Sequence, residues 1–247
     1  MSLKDSVNGL PPVLPSWAAI IPETYYDLIA RIPAGALLLL SLILIFDLHE
    51  RVDHVLSNEY GTLIGLALLL SSVYVLSLLL SGIGYLIYAA YYPRLWRGII
   101  GKNQEYVNLL DYADGKFRVG LERTDDGRLC GAGQLTRENF RQLGLLFHDY
   151  LVKQGYPLVA KMRAEAALCT NVAAAVLVSA AAYLSRLDWR LWPDGFQASR
   201  AGATTHPLTV MVMMLIAFAA SVWASYYRHG QRIRRYFSLL DVLKFGQ

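Results

Sequence analysis

The residues with the most obvious capacity for chemistry lie in one short stretch, Asp47-Leu48-His49-Glu50-Arg51-Val52-Asp53-His54. Its His-Glu pair suggests the zinc-protease arrangement, which sets two histidines four residues apart on one helical face with the glutamate as general base. Here the fourth residue after His49 is Asp53, and His54 comes one later, so the pattern fails. A His49–Asp53 pair would supply two ligands, and two ligands are not a site. The stretch reads instead as a solvated acidic end outside the membrane. Asp47, Glu50, Asp53 and Glu59 form a candidate outer acidic mouth that favours cations by steering.

Other reactive-looking segments are weaker. Gly98-Ile99-Ile100-Gly101-Lys102-Asn103 is not a phosphate loop, because the first glycine position falls on Trp96 and Asn103 replaces the magnesium-binding Ser or Thr. Gly131-Ala132-Gly133 follows no Rossmann unit. His148-Asp149 and His229 stand isolated and read as surface residues. Cys130 and Cys169 lie in different regions, one polar and one apolar, and read as reduced thiols. The reading is a non-enzyme, with no catalytic residue, cofactor or metal.

The polar groups inside apolar segments say more. Ser71, Tyr74, Ser77, Ser81, Tyr85 and Tyr88 recur at intervals of three and four. At about 100° per residue they fall in one helical stripe, a candidate pore lining. Further along, Ala167, Asn171, Ala174, Ala175, Ala182 and Ser185 share a face, as do Met214, Ala217, Ser221 and Ser225. Small residues let helices approach closely in lipid, so a packed seam is the competing reading of all three stripes. Asn171, Ser221 and Ser225 are candidate helix-interface polar groups. The Asn171 amide must find a partner across a helix or subunit interface, or face water.

These residues need elements to hold them. Of 247 residues, 55% are hydrophobic and 17% charged, with a mean hydropathy of +0.35. That is richer in apolar and poorer in charged residues than a soluble chain, and excludes a disordered or nucleic-acid-coated protein. The surplus is concentrated in Leu28–Phe46, Tyr60–Tyr92, Ala166–Ser185 and Pro207–Tyr227. About 20 apolar residues span a bilayer as a helix. The first segment qualifies if Arg31 snorkels to the interface. The second is overlong. Its end, with Tyr85, Tyr88, Tyr91, Tyr92 and Trp96, reads as an aromatic belt, and Pro93 as a stop. Pro11, Pro12, Pro15 and Pro22 make residues 1–22 an extended lead-in; Pro22 opens a helix that Pro33 kinks or breaks. No leader peptide is visible, so the first span reads as retained.

Orientation follows from the basic residues. Arg51 is the only one in loop 47–59 and three lie in loop 186–206, whereas region 93–165 holds twelve and the tail holds Arg228, Arg232, Arg234, Arg235 and Lys244. The positive-inside rule then puts both termini and region 93–165 in the cytoplasm, with the chain in the cell (inner) membrane. No ionisable group sits at mid-depth, which argues against proton-coupled transport. Inverted repeats and a potassium-type filter are absent.

The expected fold class is an all-α polytopic membrane protein with four transmembrane helices and a small α+β cytoplasmic insert between spans two and three. Residues 1–22 are the lead-in, 23–92 an interfacial helix and two spans, 93–165 the insert, 166–227 two further spans, and 228–247 a basic amphipathic tail. In the insert, alternating Phe117, Val119 and Leu121 with a turn at Asp126-Gly127 predict a hairpin. Thr136 caps a helix to about Gln154 that buries Phe140, Leu143, Phe147, Tyr150 and Leu151. A helix from about Leu158 runs into the third span. The fourth continues into the tail, where Ile233, Tyr236, Phe237, Leu240 and Leu243 form a stripe opposite the arginines. Arg118, Arg123, Arg128, Arg137 and Arg141 are candidate contacts for an anionic nucleotide or nucleic-acid ligand.

The span order, size and mid-chain insert resemble those of small four-span bacterial membrane proteins of anti-phage defence systems. The stretch Glu23-Thr24-Tyr25-Tyr26-Asp27-Leu28-Ile29-Ala30-Arg31-Ile32-Pro33 is similar to a signature of bacterial membrane proteins. The resemblance implies a subunit that oligomerises into a pore or anchors a soluble sensor partner. The expected function is an oligomeric channel or pore-forming effector gated through its cytoplasmic insert. Its partners are membrane lipid and further copies of itself. The alternative is a membrane anchor or sensor subunit that recruits and regulates a cytoplasmic partner protein.

Overall fold

The computed structural model describes residues 16–57, 59–101, 103–117, 121, 135–154, 156–186 and 207–245. They form seven helices: α1 (Ser16–Ile45), α2 (His49–Leu56), α3 (Glu59–Ile100), α4 (Gln104–Phe117), α5 (Arg137–Lys153), α6 (Pro157–Arg186) and α7 (Pro207–Phe245). Four apolar stretches within α1, α3, α6 and α7 are long enough to cross a bilayer: Leu28–Ile45, Thr62–Ile100, Leu158–Arg186 and Leu208–Leu243. They fit a multi-pass membrane protein.

No strand occurs among the described residues, which corrects the α+β insert. Phe117, the first residue of the expected hairpin, closes α4 instead. The Asn103 side chain accepts from the Glu105 backbone N–H at 3.0 Å and starts that helix. Leu109, Leu110 and Ala113 give it a buried face at helical spacing, against which three alternating positions are too short a signal. Leu121 is buried, and its N–H donates to the Asp114 carboxylate at 3.0 Å. Val119, Asp126 and Gly127 lie outside the described residues.

Neither Pro33 nor Pro93 ends its helix. α1 begins at Ser16, inside the stretch expected to be extended, and runs through Pro22 and Pro33. α3 runs through Pro93. A proline removes one helical hydrogen bond and need only bend the helix when packing holds both sides. Around Pro93 that packing is evident, since Tyr92, Leu95 and Trp96 are all buried. α1 stops at Asp47, which adopts φ 56°. Leu48 N–H donates to the Ile43 carbonyl at 2.9 Å and Asp47 N–H to that of Leu44 at 3.4 Å, a Schellman closure with aspartate in the left-handed position.

The chain divides into two compact units. The first gathers Tyr88–Ala166 and Tyr226–Gln247, with the start of α1 up to Asp27. Its core is aromatic: Trp96, Phe140, Phe147, Tyr236 and Phe237 are almost fully buried among leucines and isoleucines. Trp96 stacks on Phe140 at 5.6 Å between ring centroids, and Tyr106 on Phe237 at 4.5 Å. α5 enters this core as its sequence pattern predicts, burying Phe140, Leu143, Phe147 and Leu151. Thr136 and Asn139 cap it reciprocally: Thr136 Oγ1 accepts from the Asn139 N–H at 3.2 Å, and Asn139 Oδ1 accepts from the Thr136 N–H at 2.9 Å. On its exposed side Arg141 grips Glu138 at 2.9–3.2 Å and holds that carboxyl below its usual range. The contact is therefore made at neutral pH and lost as pH falls through the lowered value.

The second unit, Leu28–Ile87 and Ala167–Ser225, is built differently. Its buried cluster is small-sided, with Ala34, Leu38, Leu80, Ala174 and Ala175. Its exposed surface carries Leu40, Leu44, Leu63, Leu79, Leu86, Met213, Leu215 and Ile216. Apolar exposure on this scale is foreign to a water-facing surface and suits hydrocarbon. The two cores also explain why two apolar stretches are overlong. That of α3 has 39 residues, which at about 1.5 Å each is roughly twice a hydrocarbon core of about 30 Å. The excess, Tyr88–Ile100, packs in the first unit's aromatic core.

Candidate functional site

The serine-tyrosine stripe of α3 does not act as one surface. Ser77 is fully buried, Ser81 is partly buried, and Ser71, Tyr74 and Tyr85 are exposed. Tyr88 belongs to the first unit, packed against its core. The Ser77 hydroxyl donates to the Tyr74 carbonyl at 2.6 Å and that of Ser81 to the Ser77 carbonyl at 2.9 Å. Both spend their donors on their own helix. Ser77 faces α1 at Gly35: a Cβ there would overlap the Val73 carbonyl oxygen and come within 3.1 Å of the Ser77 Cβ.

The other interface residues find partners inside the second unit. Asn171 Nδ2 donates to the Ala30 carbonyl on α1 at 3.3 Å. Thr170 Oγ1 and Ser225 Oγ lie 2.6 Å apart and join α6 to α7, with Ser225 fully buried. Ser221 is partly buried. At the acidic end, Asp47, Glu50 and Asp53 are exposed and Glu59 is the first residue of α3. His49 Nδ1 lies 2.8 Å from Asp47 Oδ1. No cluster of three potential metal ligands exists among the described residues. Of the five arginines expected to take an anion, Arg118, Arg123 and Arg128 lie outside the described residues. Arg137 is exposed, and Arg141 is engaged by Glu138.

The cluster with the most unusual chemistry lies elsewhere, and sequence reading missed it. His148 and His229, expected at the surface, are buried. So is Arg232, expected opposite the apolar stripe of the tail. The helical period accounts for this: His229 precedes Ile233 by four residues and Tyr236 by seven, and Arg232 precedes Tyr236 by four, so both ride on the buried face. The His229 ring lies 4.5 Å from that of Tyr88, itself 4.3 Å from Tyr92. Arg232 Nη2 donates to the Tyr88 hydroxyl at 3.4 Å, and its guanidinium carbon sits 5.8 Å from the Tyr236 ring centroid. The Tyr236 hydroxyl and His148 Nδ1 are 3.5 Å apart. Tyr88, Tyr91, Tyr92 and Trp96 thus belong to this unit's core rather than to a lipid-facing belt. Arg232 Nε and His229 Nδ1 are buried with no hydrogen-bond partner. The arginine one turn earlier differs: Arg228 lies 3.2 Å from Glu165.

No protein-family model, curated protein or solved structure matches this chain.

Proposed function

We propose that this protein is a membrane anchor and regulatory subunit. Four apolar helices fix it in the bilayer, and the first unit is the cytoplasmic domain that receives a soluble partner protein. One observation carries the reading: the second unit exposes leucine, methionine and isoleucine over its surface, whereas the first unit closes most of its apolar side chains into an aromatic core. Such a division supports a lipid-solvated half and a water-solvated half, with the basic residues of region 93–165 and of the tail on the cytoplasmic side. The bacterial anti-phage setting implied by the span layout is a natural context for such a subunit.

An oligomeric pore is the second reading, and a different observation favours it. Ser71 and Tyr74 are exposed on α3 among exposed leucines, where a second copy would shelter their hydroxyls better than lipid. Ser77, the middle of the expected lining, is committed to the α1 seam within one chain.

The two readings separate on one residue and one surface. In a background lacking Cys130 and Cys169, Ser77→Cys is expected to resist small water-soluble thiol reagents, and purified protein in planar bilayers is expected to pass no current. A photo-crosslinker at Leu145, exposed on α5, is expected to capture one discrete soluble protein in intact cells, and one at Leu79 none. A reactive Ser77→Cys, steady current and no adduct at Leu145 would replace the anchor with the pore.

A further inference from the structure

Among its described residues the first unit holds a cation without a counter-charge. Arg232 is 7% exposed, and among the described residues its one hydrogen bond goes to a neutral phenol. Its Nε–H has no acceptor. Among the described residues no carboxylate pairs with it, and the acid that faces this cluster, Asp149 beside Tyr236, is exposed and makes no ion pair with it. Removing one partner from a buried ion pair is strongly destabilising because the remaining charge stays uncompensated, so a lone buried guanidinium calls for an anion. The second orphan atom points the same way. His229 lies one helical turn before Arg232 on the same face of α7, and its Nδ1 donates in the Nδ1–H tautomer or as the cation.

We infer that Arg232 and His229 bind a phosphate group. The chemistry asked for is an acceptor with negative charge and with several oxygens to share between a guanidinium and an imidazole one turn apart. Phosphate meets both conditions, and arginine is the side chain best suited to it. Phenol rings from α3 and α7, those of Tyr88, Tyr92 and Tyr236, surround the pair, and the Tyr88 hydroxyl accepts from Arg232 Nη2. The other arginines of the same helix do not share this setting, since Arg234 and Arg235 are exposed. The phosphate comes from a lipid headgroup or from a free phosphate compound, and the two sources are told apart by experiment. This inference deepens the anchor reading by giving its domain a ligand chemistry.

The test uses the full-length protein in dodecylmaltoside micelles, which carry no phosphate. One arm adds phosphatidylglycerol to the micelles. The other titrates inorganic phosphate into the lipid-free micelles. Thermal unfolding and binding are followed for the wild type, Arg232→Met, His229→Phe and Arg235→Gln. A rise in the unfolding temperature in the first arm alone assigns a lipid headgroup, and in the second arm a free phosphate. In either case Arg232→Met is expected to weaken binding by about tenfold or more, as the loss of a charge-assisted hydrogen bond would. Arg235→Gln is expected to bind as wild type. Absence of stabilisation in both arms overturns the inference, and so does an Arg232→Met protein that responds like wild type. Should Arg232→Met fail to fold, an unweakened response in His229→Phe overturns it equally. Failure here leaves the Leu145 crosslink standing, so it is distinguishable from failure of the anchor reading.

Discussion

Replacing Trp96 by alanine is expected to destabilise the first unit by about 4 kcal/mol, the middle of the range for emptying a buried tryptophan site. Trp96 is fully buried where α3, α5 and α7 meet, with ring centroids of Phe140, Phe147 and Phe237 at 5.6, 6.4 and 5.9 Å. Three helices therefore face the cavity left behind. Trp96→Phe provides the contrast. It keeps an aromatic ring against Phe140 and deletes the indole N–H, which is buried without a partner. Its cost should be well below that of the alanine variant, since the orphan donor no longer needs desolvating. Denaturant unfolding of the purified protein, followed by limited proteolysis of α5, measures both. A cost for Trp96→Ala below about 1 kcal/mol would mean that the aromatic core is not the centre of this unit.

Gly35→Ala is expected to break the second unit at a cost of about 3 kcal/mol, the upper part of the usual range for overpacking. The added methyl would overlap the backbone oxygen of Val73, which cannot rotate away, and crowd Ser77 at 3.1 Å. Relief requires α1 and α3 to separate, which would loosen the packing of Ala34, Leu38 and Leu80. Gly82→Ala on α3 is the internal control. Nothing lies within 4 Å of a Cβ there, so helix propensity alone acts and the change is expected to stabilise by up to about 1 kcal/mol. Thermal stability in detergent separates them. Equal melting of the two variants would contradict the close approach of α1 and α3.

Much of the scaffold was legible in the sequence. Uncharged runs marked the four apolar helices, and Thr136 with the Phe140-Leu143-Phe147-Leu151 spacing marked α5 and its buried face. Three features were hidden for physical reasons. Proline argues locally for a kink or break at Pro33 and a stop at Pro93, although tertiary packing overrides one lost hydrogen bond. The tyrosine-rich end of α3 reads as a membrane interface because hydropathy does not distinguish a lipid neighbour from a protein core. The tyrosine run Tyr88-Tyr91-Tyr92 was accordingly taken for an interfacial belt. His229 and Arg232 were passed over because charge argues for the surface, even though their register with Ile233 and Tyr236 placed them on the buried face. The serine stripe shows the converse. Its period was right, but periodicity alone did not reveal that Gly35 on another helix closes over Ser77.

The division into a lipid-solvated half and a water-solvated half is tested most directly by spin-label accessibility in reconstituted vesicles. Single cysteines at Leu79 and Leu215 and at Arg137 and Ser238, all exposed, carry the label in a background lacking Cys130 and Cys169. Labels at Leu79 and Leu215 are expected to relax with oxygen and not with a water-soluble nickel complex, and those at Arg137 and Ser238 to do the reverse. Nickel-dominated relaxation at Leu79 and Leu215 would contradict the account, because the leucine-rich surface would then face water or a polar partner rather than the bilayer.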